Sequence, residues 1–175
     1  MERENRVAGF AAGLIGGLVG SWTMTEFSRA WSRAVDGAEP VSAGEQHDAR
    51  EWQERSKDEN ANEIMAQRIS QSTLGRRLSR EELKVAAPAV HYAFGATMGA
   101  LYGAAAEATP VVTMGVGGGF GTAVWLGADE IAMPLFGLER DDITRGVEPH
   151  LQAFAAHIVY GVTTEVVRRA VRALI

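Results

Sequence analysis

Four stretches of this chain run for about twenty residues each with almost no charge, close to the length that a bilayer core requires of a helix. Val7–Thr25 and Ala108–Ala128 carry no ionisable side chain, and Val85–Ala106 carries only His91. Pro149–Thr164 carries only two histidines, and Val166 and Val167 extend it past Glu165 to about residue 167. The charges of the 175 residues are concentrated between Glu39 and Lys84, so an ordinary hydrophobic content of 46% hides a segregated pattern. Helices of a soluble bundle carry a charged outer face, and these stretches have none. They predict an all-α integral membrane protein: a four-helix bundle with spans at about 7–25, 85–106, 108–128 and 149–167. The start, Met1 to Arg6, is not clearly positive and no Ala-x-Ala follows the apolar run, so the first span reads as a retained helix and not a signal peptide.

The spans are rich in glycine and alanine. Gly9, Gly13 and Gly17 recur every four residues, and so do Gly95, Gly99 and Gly103, and Gly117 with Gly121. Each interior glycine costs a water-soluble helix about 1 kcal/mol relative to alanine. In lipid the same spacing makes a flat face on which helices approach closely, and dispersion contacts there drive association. These faces are expected to pack the bundle and to offer a route to homo-oligomers.

Between the first two spans, the segment 36–84 is polar and expected to lie outside the membrane. Its first part reads as loop. Ile64, Met65, Ile69, Leu74 and Leu78 then form a loose helical stripe weakened by Gly75. Ser79 followed by Glu82 is a capping-box pattern that would start a helix running into the second span, with Pro88 as a kink or first-turn residue. The loop between spans two and three, around Glu107–Pro110, is short enough to make them an antiparallel pair.

A nine-residue pattern occurs twice. Ala89–Thr97 and Ala155–Thr163 both read Ala-x-His-x-x-aromatic-Gly-x-Thr. Span one ends Trp22-x-x-x-Glu26 and span three ends Trp125-x-x-x-Asp129. Two crossings per half give a parallel repeat of two hairpins about an axis along the membrane normal. That topology gathers Glu26, His91, Asp129, Glu130 and His157 in one leaflet. Ionisable groups inside a membrane face the bundle interior and pair with one another. Three readings fit this cluster: carboxylate–histidine bonds that lock the helices, a proton- or ion-linked site built on groups that titrate near neutral pH, and a metal or haem site. Glu165 sits beside Arg168 and Arg169, as an interface ion pair would, and shares a helix face with His157.

Several functions are disfavoured. The net charge is −5 and no basic stripe interleaves with aromatics, so nucleic acid is not an expected partner. There is no cysteine, which removes disulfides and thiolate chemistry. No Lys-Ser/Thr follows Gly117–Gly119, so these glycines are not a phosphate loop, and no nucleophile–base arrangement stands out. An enzyme is not expected, and no cofactor is implied beyond the metal or haem alternative. Arginines flank both sides of the spans, which leaves the orientation open.

The runs His91–Gly95, Gly99–Gly103, Asp129–Leu138 and His157–Glu165 resemble those of uncharacterised bacterial inner-membrane proteins, the YagU-like family. The resemblance covers Ala89 to the C-terminus and, more loosely, Gly20–Met24. It implies a small multi-pass helical protein of the bacterial inner membrane and supplies no reaction, cofactor or catalytic residue.

Overall fold

The chain has no proline before Pro40, and its first 36 residues form one long helix. In a computed structural model that describes residues 2–36, 61–128 and 147–175, the order is α1 (Glu2–Asp36), α2 (Ala61–Leu74), α3 (Arg80–Ala108), a 3-10 turn (Pro110–Thr113), α4 (Gly118–Trp125) and α5 (Val147–Arg172). The described residues are all-helical, with no strand among them. They fall into two compact units, one of residues 1–29 and 91–175, the other of residues 30–90.

In the first unit, glycine sets the approach of α1 to α3. A Cβ on Gly13 would meet the Gly99 carbonyl and come 2.8 Å from the Gly103 Cα. A Cβ on Gly17 would meet Gly95 and come 3.1 Å from the Ala96 Cα, and one on Gly9 would lie 2.6 Å from the Gly103 carbonyl oxygen. The two glycine rows face each other within the chain, so neither is free to receive a second copy. α1 has another such face. Gly16 lies against the Thr164 backbone of α5, at 2.5 Å from a built Cβ to the carbonyl oxygen, and Gly20 lies against the Tyr160 carbonyl at 2.9 Å. α4 approaches α5 in the same way, through Gly117 on Gly161 and Gly121 on His157 and Ile158.

Two expectations change. The stretch 108–128 is not one helix. α3 ends at Ala108, Pro110 opens a 3-10 turn, and Gly115, Val116 and Gly117 all adopt positive φ (73°, 52° and 82°) before α4 begins. Proline without an amide proton and a run of left-handed residues cannot continue a right-handed helix. The connection after α3 is therefore longer than Glu107–Pro110. Secondly, Pro88 stands well inside α3, where it removes the helical hydrogen bond to the Lys84 carbonyl, so it is not a first-turn residue.

The second unit contains α2 and the start of α3. α2 ends at Leu74 with Gly75 at φ +66°, the left-handed stop that glycine takes without a Cβ penalty. The Gln67 amide holds the return of the chain, donating to the Leu78 carbonyl at 3.0 Å and accepting from the Leu78 amide at 2.8 Å. The capping box is formed: the Ser79 amide donates to Glu82 at 2.8 Å and the Glu82 amide to the Ser79 hydroxyl at 3.3 Å. Arg76 adds a bidentate pair to Glu82 at 2.6 and 3.0 Å. Ala66 and Ser70 are the buried residues of α2, whereas Ile69 and Leu74 of the anticipated stripe are exposed.

Candidate functional site

The interior of the first unit is polar. Its buried side chains include Ser21, His157, Thr164, Glu165 and Arg168 beside Ala12, Ala100, Tyr102, Ala106, Ala156 and Tyr160. No Leu, Ile, Val, Phe or Met is buried among the described residues. Large apolar side chains lie on the outside: Phe10, Ile15, Leu18 and Trp22 on α1, Phe94 and Leu101 on α3, Val166 on α5. This inverts the arrangement that water selects.

At one end of this interior the two motif copies meet. α3 begins this unit at His91, and the glycine contacts of α1 bring it to the Ser21 backbone. His157 comes from α5, and Tyr160, one turn further on, donates its hydroxyl to the carbonyl of Gly95, one turn on from His91, at 2.7 Å. His157 Nδ1 lies 2.9 Å from the Ala153 carbonyl one turn back, so that nitrogen carries the proton. His91 Nε2 is buried with no hydrogen-bond partner, and so is the Ser21 hydroxyl. Trp125 packs edge-on against Phe154 at 5.1 Å, one turn before His157.

Of the five residues expected to cluster, His91 and His157 stand on helices of the first unit that the Tyr160–Gly95 hydrogen bond joins. Glu26 is partly exposed and pairs with Arg29 at 2.5 Å on its own helix. Asp129 and Glu130 lie outside the described residues.

The other end is ionic. Glu165 is fully buried and accepts from Arg168 at 2.7 and 3.1 Å and from Arg169 at 2.5 Å. Arg168 also reaches Glu107 at 3.4 Å, and Arg172 holds Glu107 at 2.8 and 3.3 Å. Tyr102, stacked on Phe120 at 4.2 Å, sets its buried hydroxyl beside Glu165, short of a well-formed hydrogen bond. The sequence sets Glu165 beside Arg168 and Arg169, whereas Glu107 reads there as part of a short loop. The available signal was that a carboxylate at the C-terminus of one apolar helix faces the basic last turns of its neighbour.

The two histidine helices are held alike. Gly17 meets the carbonyl of Gly95, the motif glycine of α3, as Gly117 meets that of Gly161, the motif glycine of α5. In that register the position of Ser21 corresponds to that of Gly121, and Trp125 corresponds to Thr25 and not to Trp22.

Comparison with known proteins adds a family. Residues 53–166 match the model of DUF1440, a protein family of unknown function. The chain belongs to that family. No curated protein and no solved structure matches it. The DUF1440 stretch covers more than half of the chain and contains both histidines, Glu107 and Glu165. It begins within the polar segment, so part of that segment belongs to the family's common architecture. It leaves out α1 and stops before Arg168. A family without a known activity is what the resemblance to YagU-like proteins implied. Among the described residues, no group of three or more histidine and acidic side chains could hold a metal ion.

Proposed function

We propose that this DUF1440 protein is a multi-pass membrane protein of the bacterial inner membrane whose paired histidines bind protons. The observation that carries the membrane reading is the inverted interior. Glycine, serine, threonine, histidine and an ion network are inside, and Phe10, Ile15, Leu18, Leu101 and Val166 are outside. In lipid such a surface needs no further cover, and buried polar groups draw the helices together. One described helix, at residues 4–35, is long and apolar enough to cross a membrane, with a mean hydropathy of 1.5 over its best window. α3 and α5 are long enough, but their alanine, glycine and polar residues hold them below that apolarity. They cross as partners of α1, with the glycine rows acting as a zipper. The matching contacts of Gly17–Gly95 and Gly117–Gly161 support a parallel repeat of two hairpins.

The proton reading rests on His91 and His157 standing on helices tied by the Tyr160–Gly95 hydrogen bond, with His91 Nε2 buried and unpartnered. Two imidazoles that share a water-poor interior repel one another once both are charged, so a second proton is harder to add than the first. Replacing both histidines by glutamine tests this. The intrinsic fluorescence of the detergent-solubilised protein is expected to change as pH crosses the histidine range, because Trp125 packs one turn from His157, and the change is expected to vanish in the double variant. An unchanged titration in the double variant sinks the reading.

A second reading has its own support. The Glu107–Arg168–Glu165 network ties the end of α3 to α5, as a purely structural lock would. In that case the double histidine variant shows a lower melting temperature and no loss of a pH-dependent signal, because the wild type has none. A metal or haem at the histidines predicts a metal content or a visible absorbance band in the purified protein.

A further inference from the structure

His157, Tyr160, Thr164, Glu165 and Arg168 recur at helical spacing and share one face of α5. Exposure along this face is 8% at His157, 2% at Tyr160, zero at Thr164 and Glu165, and 8% at Arg168. The polar face is therefore sealed in the middle. A polar face conducts protons only if each group can accept one and hand another on. Here the Tyr160 hydroxyl donates to the Gly95 carbonyl at 2.7 Å and the Thr164 hydroxyl to the Tyr160 carbonyl at 2.8 Å. A peptide carbonyl accepts but has no proton to pass, so both hydroxyls end in dead ends. Beyond them stand the guanidiniums of Arg168, Arg169 and Arg172, which do not give up their protons and whose charge repels a further cation. The opposite end differs: the His91 ring is only partly covered there, with its Nε2 turned inward and the rest of the ring reaching the surface.

We propose that the histidine pair is a proton site open to one aqueous side alone, so that the protein senses pH on that side without conducting protons across. The proposal rests on the membrane and proton-binding reading above. The titratable groups on the elements that carry and flank the pair are Tyr92, in ring contact with His91 on α3, Glu26 with Arg29 one turn and more beyond Ser21 on α1, and His150 and Tyr160 on α5, with Glu165 further along; among the described residues α4 brings none. Only the far set, Tyr160 to Arg168, is locked in the dead ends described.

The test uses the full chain in proteoliposomes with the internal pH clamped. Trypsin cleavage within residues 61–90 measures the fraction of molecules presenting the histidine end outward. After an external pH jump, the histidine-dependent fluorescence response is expected to equal that fraction of the total, with the remainder appearing when an ionophore equilibrates the interior. Proton flux under an imposed potential is expected to stay at the level of empty vesicles. A response larger than the outward fraction, or a flux above empty vesicles that disappears in the H91Q/H157Q double variant, overturns one-sided access. The same titration in detergent, where both sides are open, separates the two levels: no histidine-dependent change there defeats the proton reading itself, whereas a change in detergent with two-sided behaviour in vesicles defeats only the one-sided site.

Discussion

At the scale of single residues, the decisive ones are those without a side chain. A methyl group at Gly13 or Gly99 would press on backbone, 2.8 Å from the Gly103 Cα in one case and 2.7 Å from the Gly17 Cα in the other. Backbone cannot turn aside, so α1 and α3 would have to separate. Gly13→Ala and Gly99→Ala are each expected to lower stability by about 1–3 kcal/mol, despite the better helix propensity of alanine. Gly118→Ala, with nothing within 4 Å among the described residues, is the control and should leave the melting temperature in detergent unchanged or slightly raised. Val116 offers the opposite case. A β-branched residue at φ +52° carries about 1–2 kcal/mol of left-handed strain. Val116→Gly is expected to raise stability, by less than that because glycine loses more freedom on folding; a lowered melting temperature would contradict it. The rows at Gly9, Gly13, Gly17 and at Gly95, Gly99, Gly103 were legible because a spacing of four is a property of sequence. Which row meets which was not legible. The second face of α1, Gly16 and Gly20, was equally written in the spacing and is visible only once α5 is seen against it.

At the scale of elements, two helix boundaries carry predictions. The start of α3 depends on the capping box. Arg76 and Ser79 together hold the Glu82 carboxyl far below its ordinary 4.5, at about 2. A depressed carboxyl contributes stability that is fully present above 4.5 and is lost as pH falls toward 2. Amide exchange of the first turn of α3 is therefore expected to accelerate within that acid window, and Glu82→Gln should remove the pH dependence. Ser79→Ala should cost about 1 kcal/mol at neutral pH. The other boundary joins the ends of α3 and α5. Glu165→Gln leaves Arg168 buried with reduced compensation, and breaking a buried pair from one side typically costs about 3–5 kcal/mol. A thermal melt indistinguishable from wild type would mean that the network is not formed. The cap and the ion pair were legible because both are local, within four residues. The failure of 108–128 as a single helix was not, since an uncharged stretch has the same composition whether it is one helix or a turn and a shorter helix. Pro110 and Gly115 were the marks of the break.

At the scale of the whole molecule, the doubled histidine motif is the feature that sequence and structure share most fully. His91 and His157 lie far apart in the chain and on joined helices of the first unit, each helix held through its motif glycine. The carboxylates assigned to them fared differently: Glu26 turns to Arg29, and the buried carboxylates stand at the opposite end, in Glu107 and Glu165. Topology read from apolar spans gives the leaflet of a residue, but which side of its helix a carboxylate occupies depends on the rotation that packing imposes. The central claim is that an interior of glycine and polar groups under a coat of large apolar side chains belongs in lipid. Its most direct test is a carbonate wash of bacterial membranes containing the full-length protein. The protein is expected to stay in the membrane pellet and to enter solution only with detergent. Recovery in the carbonate supernatant, as a species stable without detergent, would contradict the claim.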